Sequence, residues 1–220
     1  VQRRRDGETG LNTAGYISGY RGSPLGGYDT ALWRAQDQLD EHHIKFQAGV
    51  NEDMAATACW GSQQVGLWEG ANYDGVFAIW YGKGPGVDRS GDALKHGNMA
   101  GSSPHGGVLV LAGDDHGAKS STTAHQSEQA FVAAMIPVLY PASVQEYLDY
   151  GLFGIAMSRF SGAWTGIKCV GDVVEGSANV SLDPQRVEIN IPDFDFPDDG
   201  VHLRWPDGPV DQERRMISVK

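Results

Sequence analysis

The sequence predicts an α/β domain with a mostly parallel sheet flanked by helices. Between residues 14 and 170, apolar runs of strand length alternate with segments of helical period. Glycine makes up 30 of 220 residues, about twice its usual ~7% share, and it gathers just after the apolar runs, where a parallel sheet places its βα turns. Hydrophobic residues at 40% and aromatics at 10% supply a core. The length suits one large domain, or one with an appendage, at ~150 residues per domain.

Taken in order, strands are predicted at Ala14–Gly19, Lys45–Ala48, Val76–Tyr81, Val108–Ala112, Val138–Tyr140 and Thr165–Val170. Helices are expected after Tyr28, at Asn51, near Asp92, near Ser127 and at Ser143. At the last of these, Ser143-Val144-Gln145-Glu146 has the form of a capping box. After Val170 the pattern changes to a stretch rich in Pro and Asp, notably residues 191–200, which suits extended segments and turns. The expected division is therefore an α/β domain over residues 1–170 and an extended excursion or connection over 171–220.

Charge and composition exclude several classes. Lys and Arg number 17 against 28 Asp and Glu, a net charge of -11 that repels phosphate backbones and anionic lipid. Nucleic acid and membrane surfaces are thus not expected partners. No apolar run approaches the roughly 20 residues of a membrane span. The chain opens Val1-Gln2-Arg3-Arg4-Arg5 without a secretory pattern, so a piece of a longer cytoplasmic polypeptide is expected. Cys59 and Cys169 lie in apolar surroundings and read as buried thiols; two distant cysteines cannot ligate an iron-sulfur cluster.

In open α/β sheets ligands bind beyond the carboxyl ends of the strands, and four of those loops are unusual here. They are Gly19–Gly27 after the first strand, Gly49-Val50-Asn51-Glu52 after the second, Gly82–Arg89 after the third and Gly113–Ser121 after the fourth. Tight turns need glycine in any case, but four such loops on one sheet edge exceed that need.

Three kinds of chemistry can be read into them. Residues 113–120, G-D-D-H-G-A-K-S, fall one residue short of a phosphate loop. Ala118 replaces the second glycine, and Asp114 and Asp115 would repel the phosphates. Asp114, Asp115, His96, His105, His116 and His125 could donate to a metal, but their spacing matches no metal motif, and no metal ligand is assigned. The third reading centres on Glu52, which Asn51 would cap into the first turn of a small-residue helix. An acidic residue there complements the helix dipole and equally supplies a carboxyl group for cofactor chemistry.

Gly19-Tyr20-Arg21-Gly22-Ser23-Pro24, Val50-Asn51-Glu52 with its small-residue helix, and Asp114-Asp115-His116-Gly117 with Ser120-Ser121 occur in that order. This ordered set resembles the thiamine-diphosphate-dependent 2-oxoacid:ferredoxin oxidoreductases, most of all the indolepyruvate branch in its long single-chain bacterial form. The resemblance spans roughly Leu11 to Leu182 and corresponds to the domain that holds the cofactor's aminopyrimidine.

It implies that Glu52 is the catalytic carboxyl that hydrogen-bonds N1' of that ring, so that the neighbouring exocyclic nitrogen can take the proton from C2 of the thiazolium. It implies that Gly22, Ser23, Pro24, Gly84 and Gly86 line the cofactor, and that Arg21, Lys83, Ser120 and Ser121 approach the substrate. Arg21 stands where the family carries proline, and Glu128 where the branch carries a basic residue, so the branch name assigns no particular 2-oxoacid.

No Gly-Asp-Gly occurs in the chain. The resemblance therefore implies that the diphosphate, its Mg2+ and the iron-sulfur clusters sit on other domains of the same or a neighbouring chain. It also implies 2-oxoacid, coenzyme A and ferredoxin as partners of the parent enzyme, and a homo-oligomer. The expected function is oxidative decarboxylation of a 2-oxoacid with electrons passed to ferredoxin, in which this chain would not act alone. The alternatives are another thiamine-diphosphate enzyme of the decarboxylase or transketolase kind, or a non-catalytic scaffold on the same fold.

Overall fold

A computed structural model describes residues 1–119, 123–183 and 185–220. The elements in chain order are α1 (Gln2–Glu8), β1 (Thr13–Gly19), α2 (Tyr28–Arg34), α3 (Gln36–Glu41), β2 (Ile44–Phe46), α4 (Glu52–Ser62), β3 (Gly75–Lys83), α5 (Gly84–Arg89) and α6 (Gly91–Ala100). They continue with β4 (Val108–Asp114), α7 (Glu128–Ala133), β5 (Val138–Leu139), α8 (Val144–Ser161), β6 (Thr165–Val170), α9 (Gly171–Val174) and α10 (Pro209–Ser218). The six strands form one sheet in the order β2-β1-β3-β4-β6-β5, and every pairing is parallel.

A parallel sheet covered on both faces needs strands that are apolar throughout, and β3, β4 and β6 are buried over nearly their whole length. Successive side chains go to opposite faces. Trp80, Val110 and Ala112 join Ala55, Cys59, Leu94, Phe131 and Trp164 in one core layer, beside α4, α6 and α7. Phe77, Tyr81, Leu109 and Ile167 join Leu25, Leu32, Phe46 and Ile155 in the other, beside α2 and α8.

Buried polar side chains stitch the layers together. The Asn98 amide donates to Ala134 O (2.8 Å) and Met135 O (3.0 Å) and accepts from Trp164 N (2.7 Å). Gln63, fully buried, accepts from Ser103 N and Gly107 N and donates to Val76 O. At the start of β1, Asp6 is clamped by Arg159 through Nη1 (2.6 Å) and Nη2 (3.1 Å) and also accepts from Thr13 Oγ1 (2.6 Å). Burial alone would raise the Asp6 pKa, but the Arg159, Thr13 and Gln2 hydrogen bonds hold it below its ordinary value.

At α8 the Ser143 half of the capping box forms, while Glu146 reaches back one residue further, to Ala142 rather than to the cap itself. Ser143 Oγ accepts from Glu146 N (3.3 Å), and Glu146 Oε2 accepts from Ala142 N (2.6 Å). Gly162, in the left-handed region at φ 73°, closes that helix, where a Cβ would run into Val201.

The structure corrects three local expectations. Gly82 and Lys83 end β3, and residues 84–89 form α5 rather than a loop. Gly113 and Asp114 end β4. The stretch after Val170 includes the short α9 and ends in α10, whose Met216 packs with Met99 and Ala163. Among the described residues no helix is long and apolar enough to cross a membrane.

Candidate functional site

The chain runs from β1 out to β2 and returns to β3 on the other side of β1. This reversal leaves a switch point at the carboxyl ends of β1 and β3, the place where open α/β sheets bind ligands. The four residues Lys83-Gly84-Pro85-Gly86 sit at that point, and three other loops press on them. Gly22, after β1, lies against the Lys83 side chain, so that a Cβ on Gly22 would be 2.9 Å from Lys83 Cδ. The His125 ring, from the connection after β4, lies where a Gly84 Cβ would be. Glu52, at the start of α4, lies where a Gly86 Cβ would be, 2.7 Å from Glu52 Cγ and 2.9 Å from Oε1. The absence of side chains at 22, 84 and 86 thus serves the close approach of Lys83, His125 and Glu52 rather than turn geometry.

Glu52 owes its position to the helix start. Asn51 is extended at φ -153°, and its side chain accepts from Met54 N at 2.8 Å, which makes Glu52 the first helical residue. The Trp80 indole N–H donates to the Glu52 carbonyl oxygen (3.0 Å), tying α4 to β3. Glu52 has a side-chain exposure of 15%, and Arg89 Nε lies 3.9 Å from its Oε2; Arg89 lies closer to Asp53, at 3.4 Å. A mostly buried carboxyl group at the sheet's switch point, backed by the Gly86 backbone, is placed to hydrogen-bond a polar ligand there.

Pro24 and Leu25 pack on the end of β4, each 3.1 Å from a Cβ placed on Gly113. They hold Ser23, half-buried, on the same edge, with a cis peptide between Ser23 and Pro24. Arg21 is exposed. Ser120 and Ser121 lie outside the described residues. The structure therefore brings Glu52, Gly86, Gly84, Lys83 and Gly22 together around one turn and places Pro24 across the β4 end.

Asp114, completely buried, faces inward rather than toward a phosphate site. It accepts from Ser127 N (2.9 Å) and Ser127 Oγ (2.6 Å) and lies 3.7 Å from Lys168 Nζ. Lys168 also donates to Glu128 and lies over the Tyr140 ring, 5.2 Å from its centroid. Partial burial opposes it, but the Lys168 hydrogen bond holds the Glu128 carboxyl below its ordinary pKa. Lys168 escaped the sequence reading, although a lysine inside an otherwise apolar strand is itself a signal of a buried ion pair. Burial pushes the Cys169 thiol up to about 12, with the Asp114 charge adding to it, and burial raises Cys59 as well; neither is a reactive thiolate.

His125 has a side-chain exposure of 17%, with Nε2 at 3.2 Å from Asp88 Oδ2. The sequence offered it only as one of several histidines available to a metal. No group of three or more His, Cys, Asp or Glu among the described residues is arranged to hold a metal ion.

No protein-family model matches the sequence, and no curated protein matches it. Solved structures do match the fold. A 2-oxoglutarate:ferredoxin oxidoreductase from Magnetococcus marinus, with 2-oxoglutarate, coenzyme A and succinyl-CoA bound, aligns with a TM-score of 0.55 at 17% identity over 72% of this chain. A structure from Mycobacterium smegmatis, assigned provisionally as a thiamin diphosphate-dependent enzyme, aligns with a TM-score of 0.52 at 15% identity over 86% of this chain. The chain spans 26% and 33% of these two neighbours. At such identities the likeness is one of fold: a parallel α/β sheet flanked by helices, shared with a ferredoxin-linked 2-oxoacid oxidoreductase and a thiamin-type protein.

Proposed function

We propose that this chain is the pyrimidine-binding part of a thiamine-diphosphate-dependent 2-oxoacid:ferredoxin oxidoreductase, of the indolepyruvate type. The observation that carries the reading is the Glu52 carboxyl, set by Asn51 at the first position of α4 and seated against Gly86 at the sheet's switch point. The ordered sequence motifs and the fold shared with the Magnetococcus enzyme support it.

The residues present fit the aminopyrimidine. Glu52 would hold N1', the Gly84–Gly86 turn would back that carboxyl beside the ring, and Ser23 beside Pro24 would face the reacting carbon. When bound, thiamine diphosphate supplies the electron sink for loss of carbon dioxide from a 2-oxoacid. This chain's part is to share a proton at the Glu52 carboxyl, to orient the ring by shape, and to exclude water with the apolar layer behind α4. Lys83, half-buried at the end of β3, and Arg21 supply positive charge toward a substrate carboxylate.

Residues 1–170 form the cofactor-holding unit in this reading, and 171–220 a connection folded back on it through α10. Tyr20, Val50 and Met54 are exposed at 40%, 78% and 57% and flank the site in sequence. They suit closure against a domain that carries the diphosphate and Mg2+, with iron-sulfur clusters, ferredoxin and coenzyme A engaged elsewhere in a homo-oligomeric, cytoplasmic parent.

In the complete enzyme, Glu52→Gln is expected to lower turnover of the 2-oxoacid at least 100-fold while the unfolding midpoint stays unchanged. A variant that retains most of its turnover overturns the reading. Failure of the wild-type enzyme to reduce a low-potential electron acceptor would turn it toward a non-oxidative thiamine enzyme.

A further inference from the structure

We propose that His125 is a positioning residue for the Glu52 carboxyl, acting through the Gly84–Gly86 turn and held in place by Asp88; the proposal rests on the role assigned to Glu52 above. The ring of His125 occupies the space a Gly84 Cβ would take. Its Nε2 lies 3.2 Å from Asp88 Oδ2. Asp88 follows Gly84 by four residues in α5 and so falls on the same helical face. The ring thus spans that face from Gly84 to Asp88.

Gly86, by contrast, is two residues from Gly84, about 200° around the helix. It turns to the opposite side, where it meets Glu52 Cγ and Oε1. The first turn of α5 is therefore held between a histidine on one side and the Glu52 carboxyl on the other. The histidine itself stands on a fixed base, because two residues on, Ser127 donates both its N–H and its hydroxyl to the buried Asp114. His125 Nδ1 is buried without a partner. An unpaired buried ring nitrogen costs stability, against which stand only the packing of the ring on Gly84 and its contact with Asp88. Removing the ring frees α5 to move away from α4 and loosens the seat of the carboxyl.

The test uses the complete enzyme, with thiamine diphosphate and Mg2+ as the binding probe and the 2-oxoacid that it turns over as substrate. His125→Ala is expected to lower kcat about tenfold and to weaken thiamine diphosphate binding about tenfold, with the 2-oxoacid KM moving less than threefold. His125→Gln keeps an N–H toward Asp88 and is expected to return both to within about threefold of wild type. Asp88→Ala, at a carboxylate 60% exposed, is expected to fall between them.

If kcat per folded molecule and cofactor affinity stay at wild-type values in His125→Ala while only the unfolding midpoint drops, the role is structural and the proposal is overturned. Should His125→Ala fail to fold, wild-type kcat and affinity in Asp88→Ala overturn it equally. Glu52→Gln separates the two levels. If it is inactive while the His125 and Asp88 variants behave as wild type, the positioning role alone fails; if it is active, both readings fall.

Discussion

Replacing Gly86 with alanine separates the needs of the fold from those of the site. Gly86 is the third residue of α5 and does not occupy the left-handed region. Alanine there costs the backbone nothing, and helix propensity favours it by up to about 1 kcal/mol. The new methyl group would sit 2.7 Å from Glu52 Cγ and 2.9 Å from Oε1, against 3.4 Å or more for an ordinary contact. The Glu52 side chain is the flexible partner, so it must withdraw by about 0.7 Å. A misplacement near 1 Å costs an enzyme about 100-fold, so Gly86→Ala is expected to lower kcat by about 10- to 100-fold. The unfolding midpoint should stay level or rise. On the proposed function, both quantities are read on one preparation of the complete enzyme, by steady-state reduction of a low-potential acceptor and by thermal unfolding. Turnover within threefold of wild type, with the midpoint unchanged, would refute the argument, because the carboxyl would then have moved without consequence.

Two further expectations concern stability. Asp114→Ala removes the acceptor of both Ser127 hydrogen bonds and one of the two carboxylates beside the buried Lys168; a loss of about 3 kcal/mol in denaturant unfolding is expected, and a loss under 1 kcal/mol would show that Glu128 alone satisfies the lysine. Asp6 has a folded pKa below its ordinary value, so its contribution is present above the unfolded pKa of about 3.9 and fades as pH falls through the folded one. The stability gap between wild type and Asp6→Asn should therefore be full at neutral pH, at about 3 kcal/mol, and shrink in strong acid; a gap that is the same at pH 7 and at pH 2 would contradict the Arg159 clamp.

The sheet was legible because strands buried on both faces leave an unmistakable mark, continuous apolar runs such as Val76–Tyr81 and Val108–Ala112. Two helix starts were legible for a different reason. Asn51 and Ser143 carry their caps in the sequence, and both make the bonds that their type predicts. The helix α5 was misread because Gly84-Pro85-Gly86 looks like a loop. Proline is nevertheless favoured in a first helical turn, where its missing N–H has no partner to lose. The same asymmetry marks α10, with Gly208 before Pro209; it was there to be read within a stretch otherwise dominated by Pro and Asp. At the site, Glu52 and the glycines were visible as local motifs. His125 and Lys168 were not, because their meaning depends on Asp88 and Asp114, on other elements of the chain.

The two edges of the sheet differ in what their close approaches bring together. At the amino edge, Asp6, Arg159 and Gln63 are held by hydrogen bonds to the turn before β4 and to neighbouring side chains, although Ser103 Oγ and Thr165 Oγ1 are buried there without partners and Gly75 and Gly106 also make room for close neighbours. At the carboxyl edge, the close approaches at Gly22, Gly84 and Gly86 are bought by omitting side chains, and His125 Nδ1 and Glu128 Oε2 remain buried without partners. Such unpaired atoms and close approaches are found at both edges, so what distinguishes the carboxyl edge is the kind of side chain its glycines admit. Where β1 and β3 diverge, the glycines at 22, 84 and 86 bring ionisable side chains, Lys83, His125 and Glu52, close to one turn, and on the proposed function that gathering is what a preorganised site requires.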